Sequence, residues 1–274
     1  MAVRASWWQA GAIAQAAARA AGAAALPWFE RSDLRVETKA DASPVTNADR
    51  AAEAAARAVI GNACPDDGWL GEETGTATRL DGSADTPSNR TWIVDPIDGT
   101  RNFVLGIPLW SVLIACVETV GGEEQVVASA VGFPALAEWY DAVRDGGARR
   151  NGQPIRVSAV SDLSQAGFGY YTFEWFKKYR LEAVFRAFSA GTHVQRGGGD
   201  AYTHMLVASG RLEVCVEPGL QVWDIAASSL IVEEAGGRWS DLDGGRNLRS
   251  GDAVLSNGAL HPTAIALIHR LRER

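Results

Sequence analysis

The chain has 274 residues, with 26 basic against 33 acidic side chains for a net charge of −7, and is 47% hydrophobic and 22% charged. That is enough chain for a large core, with the balance of an ordinary soluble globular protein. The acidic balance, without any basic stripe interleaved with aromatics, excludes general attraction to nucleic acid or to an anionic membrane. Cys64, Cys116 and Cys215 are far apart, odd in number and set among apolar neighbours. They read as reduced thiols, so a cytoplasmic location is expected.

The Ala-rich stretch from Ala5 to Leu26 is interrupted by Gln9, Gln15 and Arg19, so it reads as an amphipathic helix and not as a signal peptide. Nothing reaches transmembrane length. The helical pattern runs from Ser6 to about Ile60, with a break around Asp33 to Val45 in which Arg35 to Lys39 forms an extended arm. Thr74 to Asn89 is polar and Gly/Ser/Asp-rich, a predicted loop. Strands are predicted at Trp92–Val94, Val112–Val117, Val126–Val131 and Glu138–Val143, and Asn151-Gly152 signals a hairpin turn. Helices are predicted over Glu174–Ser189, Tyr202–Ser209, Asp224–Glu234 and His261–Arg272, with a strand at Leu212–Val216. Periodicity alone says mixed α and β, without internal repeats or a long linker.

Chemistry concentrates in Trp92-Ile93-Val94-Asp95-Pro96-Ile97-Asp98-Gly99-Thr100, where an apolar strand runs into a turn. Pro96 fixes one φ and withholds a donor, and Gly99 permits a bend, so Asp95, Asp98 and the Ile97 carbonyl can face one point. Converging anions repel unless a proton or cation lies between them, and hard oxygen donors suit Mg²⁺. An acidic turn is the bland alternative for Asp98-Gly99 alone. A second acidic element is Gly71-Glu72-Glu73-Thr74, in which alternation on an extended chain lets only one of Glu72 and Glu73 face a site. A third is Trp223-Asp224, opening a helix-like pattern, and a fourth is the segment Lys39 to Asp49, in which Asp49 opens the helix Arg50 to Ile60. For both Asp224 and Asp49 an N-cap is the competing reading. The cysteines and four histidines show no zinc or Cys/His spacing.

Glu72, the Asp95–Asp98 turn, Asp224 and the Asp41-to-Asp49 segment, in that chain context, resemble the signature of the inositol monophosphatase-like family of lithium-sensitive, Mg²⁺-dependent phosphatases. The resemblance runs from about Lys39 to Gly237 and more loosely to Asn257. It implies an α+β fold, a layered α-β-α-β-α sandwich. An N-terminal α+β half (1–150) would carry most metal ligands, and a C-terminal α/β half (151–274) would carry Asp224 and the substrate-selecting residues. It also implies two to three Mg²⁺ ions. Glu72, Asp95 and the Ile97 carbonyl would hold one, and Asp95, Asp98 and Asp224 a second, with Asp49 steadying the water shell of a third. The choice of Glu72 over Glu73 rests on the resemblance alone. Thr100 with Asp49 would orient the attacking water, and backbone N–H groups from Gly99 onward would cradle the phosphate. Family members are commonly homodimers.

For the leaving group, the informative segment is Gln195-Arg196-Gly197-Gly198-Gly199-Asp200-Ala201-Tyr202. Its Gly-Asp form resembles the histidinol-phosphate phosphatases of the family, where inositol-type members carry a small Gly-Ser/Thr-Ala-Ala turn. Histidinol phosphate carries an ammonium and an imidazole, which an acidic lining would favour over neutral hydroxyls. Glu217 occupies the position that contacts the polyol in inositol phosphatases, and a carboxylate there serves either substrate. Asp200 as a turn residue remains the alternative, and Arg196 is open between substrate and subunit contact. The expected reaction is hydrolysis of L-histidinol phosphate. Inositol 1-phosphate is the alternative substrate, and a noncatalytic regulatory relative is the reading from another class. Bisphosphate substrates call for basic residues near the site, whereas Lys177-Lys178 and Arg180 read as a solvated helix face.

Overall fold

The computed structural model describes residues 2–40, 43–77, 79–80 and 88–272, with side chains from residue 6 onward. In chain order it begins with α1 (Ala2–Ala25), the hairpin β1 (Val36–Thr38) and β2 (Pro44–Thr46), α2 (Asn47–Ala63), β3 (Gly68–Gly71) and β4 (Gly75–Ala77). There follow β5 (Arg90–Asp98), α3 (Thr100–Val104), β6 (Ser111–Val120), β7 (Glu123–Phe133), β8 (Glu138–Val143), β9 (Ala148–Arg150) and β10 (Gln153–Pro154). The second half holds β11 (Gly167–Gly169), α4 (Phe173–Lys178), α5 (Glu182–Gly191), β12 (Val194–Arg196), α6 (Ala201–Ala208) and β13 (Val214–Pro218). It closes with α7 (Val222–Glu234), β14 (Arg238–Ser240), β15 (Asp252–Ser256) and α8 (His261–Arg272).

Alanine sets the first layer. Ala48, Ala52, Ala56 and Ile60 recur every four residues along one face of α2, and Ala10, Ala14, Ala17, Ala18 and Ala21 are buried along α1. With no side chain beyond Cβ, the two helices approach closely, and together they cover one face of an eight-stranded sheet ordered β10-β9-β8-β7-β6-β5-β3-β4. Helices α6 and α7 fill the space between that sheet and a five-stranded sheet ordered β12-β11-β13-β15-β14. Ile225 to Val232 are all buried, as a helix sandwiched between two sheets requires. Helices α4, α5 and α8 cover the far face of the small sheet. These layers are the α-β-α-β-α sandwich that the resemblance implies.

Local differences from the sequence reading have physical causes. The predicted helix over Glu174–Ser189 is two helices, α4 and α5, broken where Arg180 takes φ +59°. The polar stretch after Thr74 is partly ordered, with β4 pairing antiparallel to β3; residues 78 and 81–87 of that stretch, and Asp41 of the Asp41-to-Asp49 segment, lie outside the described residues. The Asn151-Gly152 turn is present, both residues at positive φ between β9 and β10.

Strand β5 extends further than the predicted Trp92–Val94 and runs through Pro96. Its pairing with β6 steps from Asp95↔Leu113 to Asp98↔Ser111, three residues on β5 against two on β6. That one-residue bulge accommodates a proline that has no N–H for the ladder.

Close packing makes a stability test specific. A Cβ on Gly132 would lie 2.3 Å from the Trp139 ring. Gly132→Ala is expected to destabilise the protein by about 1–3 kcal/mol in urea unfolding, the range for overpacking a tight site; an unchanged midpoint would contradict this packing.

Candidate active site

The β5 bulge decides the geometry of the centre. Residues three apart on a regular strand point to opposite faces; one extra residue returns Asp98 to the side of Asp95. The first turn of α7 brings Asp224 to the same place, and carboxylate oxygens of Asp95, Asp98 and Asp224 lie within 4.8 Å of one another. Each is pinned locally. The Ile97 N–H donates to Asp95 Oδ1 at 3.0 Å. Ser111 Oγ and the Ala201 N–H both donate to Asp98 Oδ2 at 2.9 Å. The Gln221 N–H donates to Asp224 Oδ2 at 2.7 Å.

Among the described residues, no ammonium or guanidinium pairs with any of the three. Burial, then the neighbouring carboxylates, raise Asp95 and Asp224 well above the usual carboxylate range. Burial pushes Asp98 up to about 6. A cluster of three converging carboxylates holds protons or a cation, and its all-oxygen donor set fits a hard divalent ion such as Mg²⁺.

Glu72 stands beside Asp95 because β3 pairs parallel to β5 and the Glu72 N–H donates to the Val94 carbonyl at 3.1 Å. The expectation that Glu72 and Glu73 face opposite ways is corrected. Both reach Lys39, whose Nζ donates to Glu72 Oε1 at 2.7 Å and Glu73 Oε1 at 2.6 Å. Residues 72–74 form a turn, where strand alternation does not apply. Buried Glu53, which sequence reasoning missed, shapes that turn by accepting from the Glu73 N–H at 2.8 Å and the Thr74 N–H at 3.0 Å. Of the two glutamates, Glu72 lines the cleft over the centre.

Asp49 and Asp224 are not N-caps. Each is the third residue of its helix, inside a capping box whose N-cap is Thr46 or Gln221. A Thr-x-x-Asp pattern was visible at 46–49 and signals this arrangement. Thr46 N and Oγ1 both donate to Asp49 Oδ2, at 2.8 and 2.6 Å. That leaves Asp49 Oδ1 3.4 Å from Thr100 Oγ1, which also donates to the Ile97 carbonyl at 3.0 Å. Burial pushes Asp49 up to about 6.

A cleft of about 180 Å³ opens over the centre and is lined by Glu72, Asp98, Gly99, Thr100, Asp200, Glu217 and Asp224, with Tyr171 and Trp175 among the wall residues. Asp200 takes φ +42°, a strained position for a residue with a Cβ, and its Oδ2 accepts from Asn102 Nδ2 at 3.0 Å. Gly99, at φ +79°, lets that carboxylate approach, since a Cβ there would lie 2.9 Å from Asp200 Oδ2. Burial and the charges of Asp98 and Glu217 raise Asp200 well above the usual range. Glu217 is buried on β13 and pairs with His204. Arg196 is not brought to the cleft: it sits exposed on β12, bonded to its neighbour's carbonyl at 2.7 Å. A larger depression of about 790 Å³ between β7 and the stretch after β14 is lined by Arg144 and Arg246, each paired with Glu233, and among the described residues no converging carboxylate cluster of this kind lies there.

The model of the inositol monophosphatase family matches residues 9–273. The chain belongs to that family. A histidinol-phosphatase of Streptomyces coelicolor is 40% identical over 264 residues, covering 94% of this chain and 96% of that one. An inositol-1-monophosphatase of Mesorhizobium japonicum is 34% identical over 257 residues, covering 92% of each. Among solved structures, the extragenic suppressor protein suhB of Bartonella henselae superimposes with a TM-score of 0.82 at 31% identity, over 92% of this chain and 95% of that one.

The raised carboxyls of this family member give a pH dependence of stability. Asp49 and Asp98 bind a proton more tightly folded, with values raised from 3.8 to about 6. Their contribution is therefore fully present below about pH 4 and is lost as pH rises through about 6. In chelator, the melting temperature of wild-type protein should fall more steeply between pH 4 and 7 than that of Asp98→Asn. Equal slopes would contradict a proton-holding carboxyl at 98.

Proposed function

We propose that this chain, a phosphoric monoester hydrolase of the inositol monophosphatase family, hydrolyses L-histidinol phosphate to L-histidinol and phosphate in the cytoplasm, as a homodimer with Mg²⁺. Glu72, Asp95 and the Ile97 carbonyl would hold one ion. Asp95, Asp98 and Asp224 would hold a second, with Asp95 shared, and Asp49 would steady the water shell of a third. When bound, Mg²⁺ neutralises phosphate charge and acidifies water. The protein's own groups do the rest. Thr100 and Asp49, 3.4 Å apart, orient the attacking water, and Asp49 accepts its proton. The water oxygen forms the new P–O bond, the ester P–O bond breaks, the leaving alkoxide takes up a proton from a solvent water, and Asp49 returns its proton to solvent. The backbone N–H groups of Gly99 and Thr100 bind phosphate oxygens where the chain turns.

The observation that carries the substrate choice is Asp200. A strained, half-buried carboxylate in the cleft, held by Asn102 and admitted by Gly99, is more than a turn requires. Together with Glu217 it gives the leaving-group side an acidic wall suited to the ammonium and imidazole of histidinol. The 40% identity with a histidinol-phosphatase over nearly the whole chain supports the same reading. Inositol 1-phosphate is the second reading, favoured by Glu217, which accepts hydrogen bonds from hydroxyls equally well. A noncatalytic role leaves the converging set of buried Asp95 and half-buried Asp98 and Asp224 without a purpose. Exposed Val104 at the end of α3, with Leu105 and Ile107 beyond it, offers apolar surface for a subunit contact.

Phosphate release with Mg²⁺ should show a kcat/KM for L-histidinol phosphate at least about tenfold above that for inositol 1-phosphate, the equivalent of one good polar contact. The reverse preference would overturn the substrate assignment. Asp95→Asn should lower kcat by about a hundredfold or more without lowering the metal-free melting temperature. Asp200→Asn should act chiefly on the KM for histidinol phosphate; a proportional loss on both substrates would return Asp200 to a turn role.

A further inference from the structure

Glu217 is gripped from behind. His204 Nε2 lies 3.0 Å from its Oε2, and Cys215 Sγ lies 3.6 Å from its Oε1. All three residues are buried, at 1%, 0% and 3% exposure for His204, Cys215 and Glu217. Cys215 and Glu217 are two apart on β13, so they share the face that packs on α6, while Val214 and Val216 face the outer helices. An ionised carboxylate only accepts, so His204 Nε2 carries the hydrogen. Its other ring nitrogen, Nδ1, has no hydrogen-bond partner among the described residues. A packing residue would not call for a polar ring here with one nitrogen orphaned and the other spent on a cleft carboxylate, because a buried unpaired nitrogen is destabilising.

Helix α6 ties this pair to the rest of the site. Its first residue, Ala201, donates its N–H to Asp98 Oδ2, Asp200 precedes it in the cleft, and His204 follows one turn later. One eight-residue helix thus sets the positions of Asp98, Asp200 and Glu217 relative to one another.

We propose that His204 is a positioning residue for leaving-group recognition, holding Glu217 as a fixed, acceptor-only carboxylate at the floor of the cleft. The inference rests on Glu217 meeting the leaving group, as in the proposed function. With Oε2 fixed by a ring and Oε1 by a thiol, Glu217 has its remaining lone pairs directed at the cleft, and leaving groups that bring N–H or O–H donors are selected.

The test compares two phosphate esters. L-histidinol phosphate brings donors in its leaving group, and 4-nitrophenyl phosphate brings none. The quantity read is the ratio of their kcat/KM values in wild type, His204→Leu, His204→Gln, Glu217→Gln and the His204→Leu/Glu217→Gln double variant. His204→Leu should lower the ratio roughly tenfold, chiefly through the KM for histidinol phosphate, as loss of one charge-assisted hydrogen bond does. His204→Gln, whose amide N–H can reach the same oxygen, should restore most of it. The double variant should match Glu217→Gln alone, because His204 acts through Glu217. Equal losses on both esters, or effects of the two single variants that simply multiply, would assign His204 to packing and overturn the inference. A wild-type ratio near one would overturn the histidinol reading itself, whereas a high wild-type ratio that His204→Leu leaves intact would overturn only the role of His204.

Discussion

Everything in the site follows from forcing three carboxylates together where water is scarce. Asp95 is buried in the second half of β5 between Val94 and Pro96, and the one-residue bulge at Pro96–Ile97 turns Asp98 back onto its face. Without the bulge the two side chains would point to opposite faces of the sheet. The β5–β6 register is thus the constraint that makes a candidate divalent-ion site out of a strand that would otherwise be ordinary core. Asp224 completes the set from a different layer, so the centre exists only when the large sheet and α7 are packed together.

Electrostatics then explains the surroundings. Backbone donors hold each carboxylate in one orientation, and in the absence of a cation the repulsion between them is relieved only by bound protons. Such an arrangement is destabilising by itself when ionised and would be favoured by a bound cation, at some cost in intrinsic stability. Lys39 plays the complementary part at the rim, joining Glu72 and Glu73 through one ammonium. The leaving-group side repeats the design in milder form, with Asp200 and Glu217 each fixed by a neutral or imidazole donor instead of a guanidinium. A cleft so lined attracts cations and hydrogen-bond donors together, which is the chemistry of an amino alcohol better than that of a second phosphate.

Much of this was legible in the chain because each acidic element is short and local. The Asp95–Asp98 turn, Asp224 after its tryptophan and the Gly-Asp step at 199–200 can be read without any structure, and the layered fold follows from the resemblance they establish. What was misread has particular causes. The helix starts at Asp49 and Asp224 read about one turn late, which kept the N-cap alternative open; in each case the true N-cap lies three residues before the aspartate. The break between α4 and α5 left no glycine or proline as a signal, since Arg180 itself adopts the left-handed conformation. Glu72 and Glu73 defied alternation because they lie in a turn. The bonds of Glu53 and His204 join positions from 13 to 21 residues apart, pairings that local periodicity does not encode.

The most direct test of the central claim is calorimetric titration of Mg²⁺ into metal-free protein in two buffers of differing ionisation enthalpy, which counts the protons released. A cluster that holds its charge down with protons must give them up when the ion enters. At pH 6 binding should release about one proton or more, and Asp95→Asn should bind Mg²⁺ far more weakly with a smaller release. Tight binding without proton release would mean that the three carboxylates are already ionised and apart, and that the crowded centre described here is not the metal site.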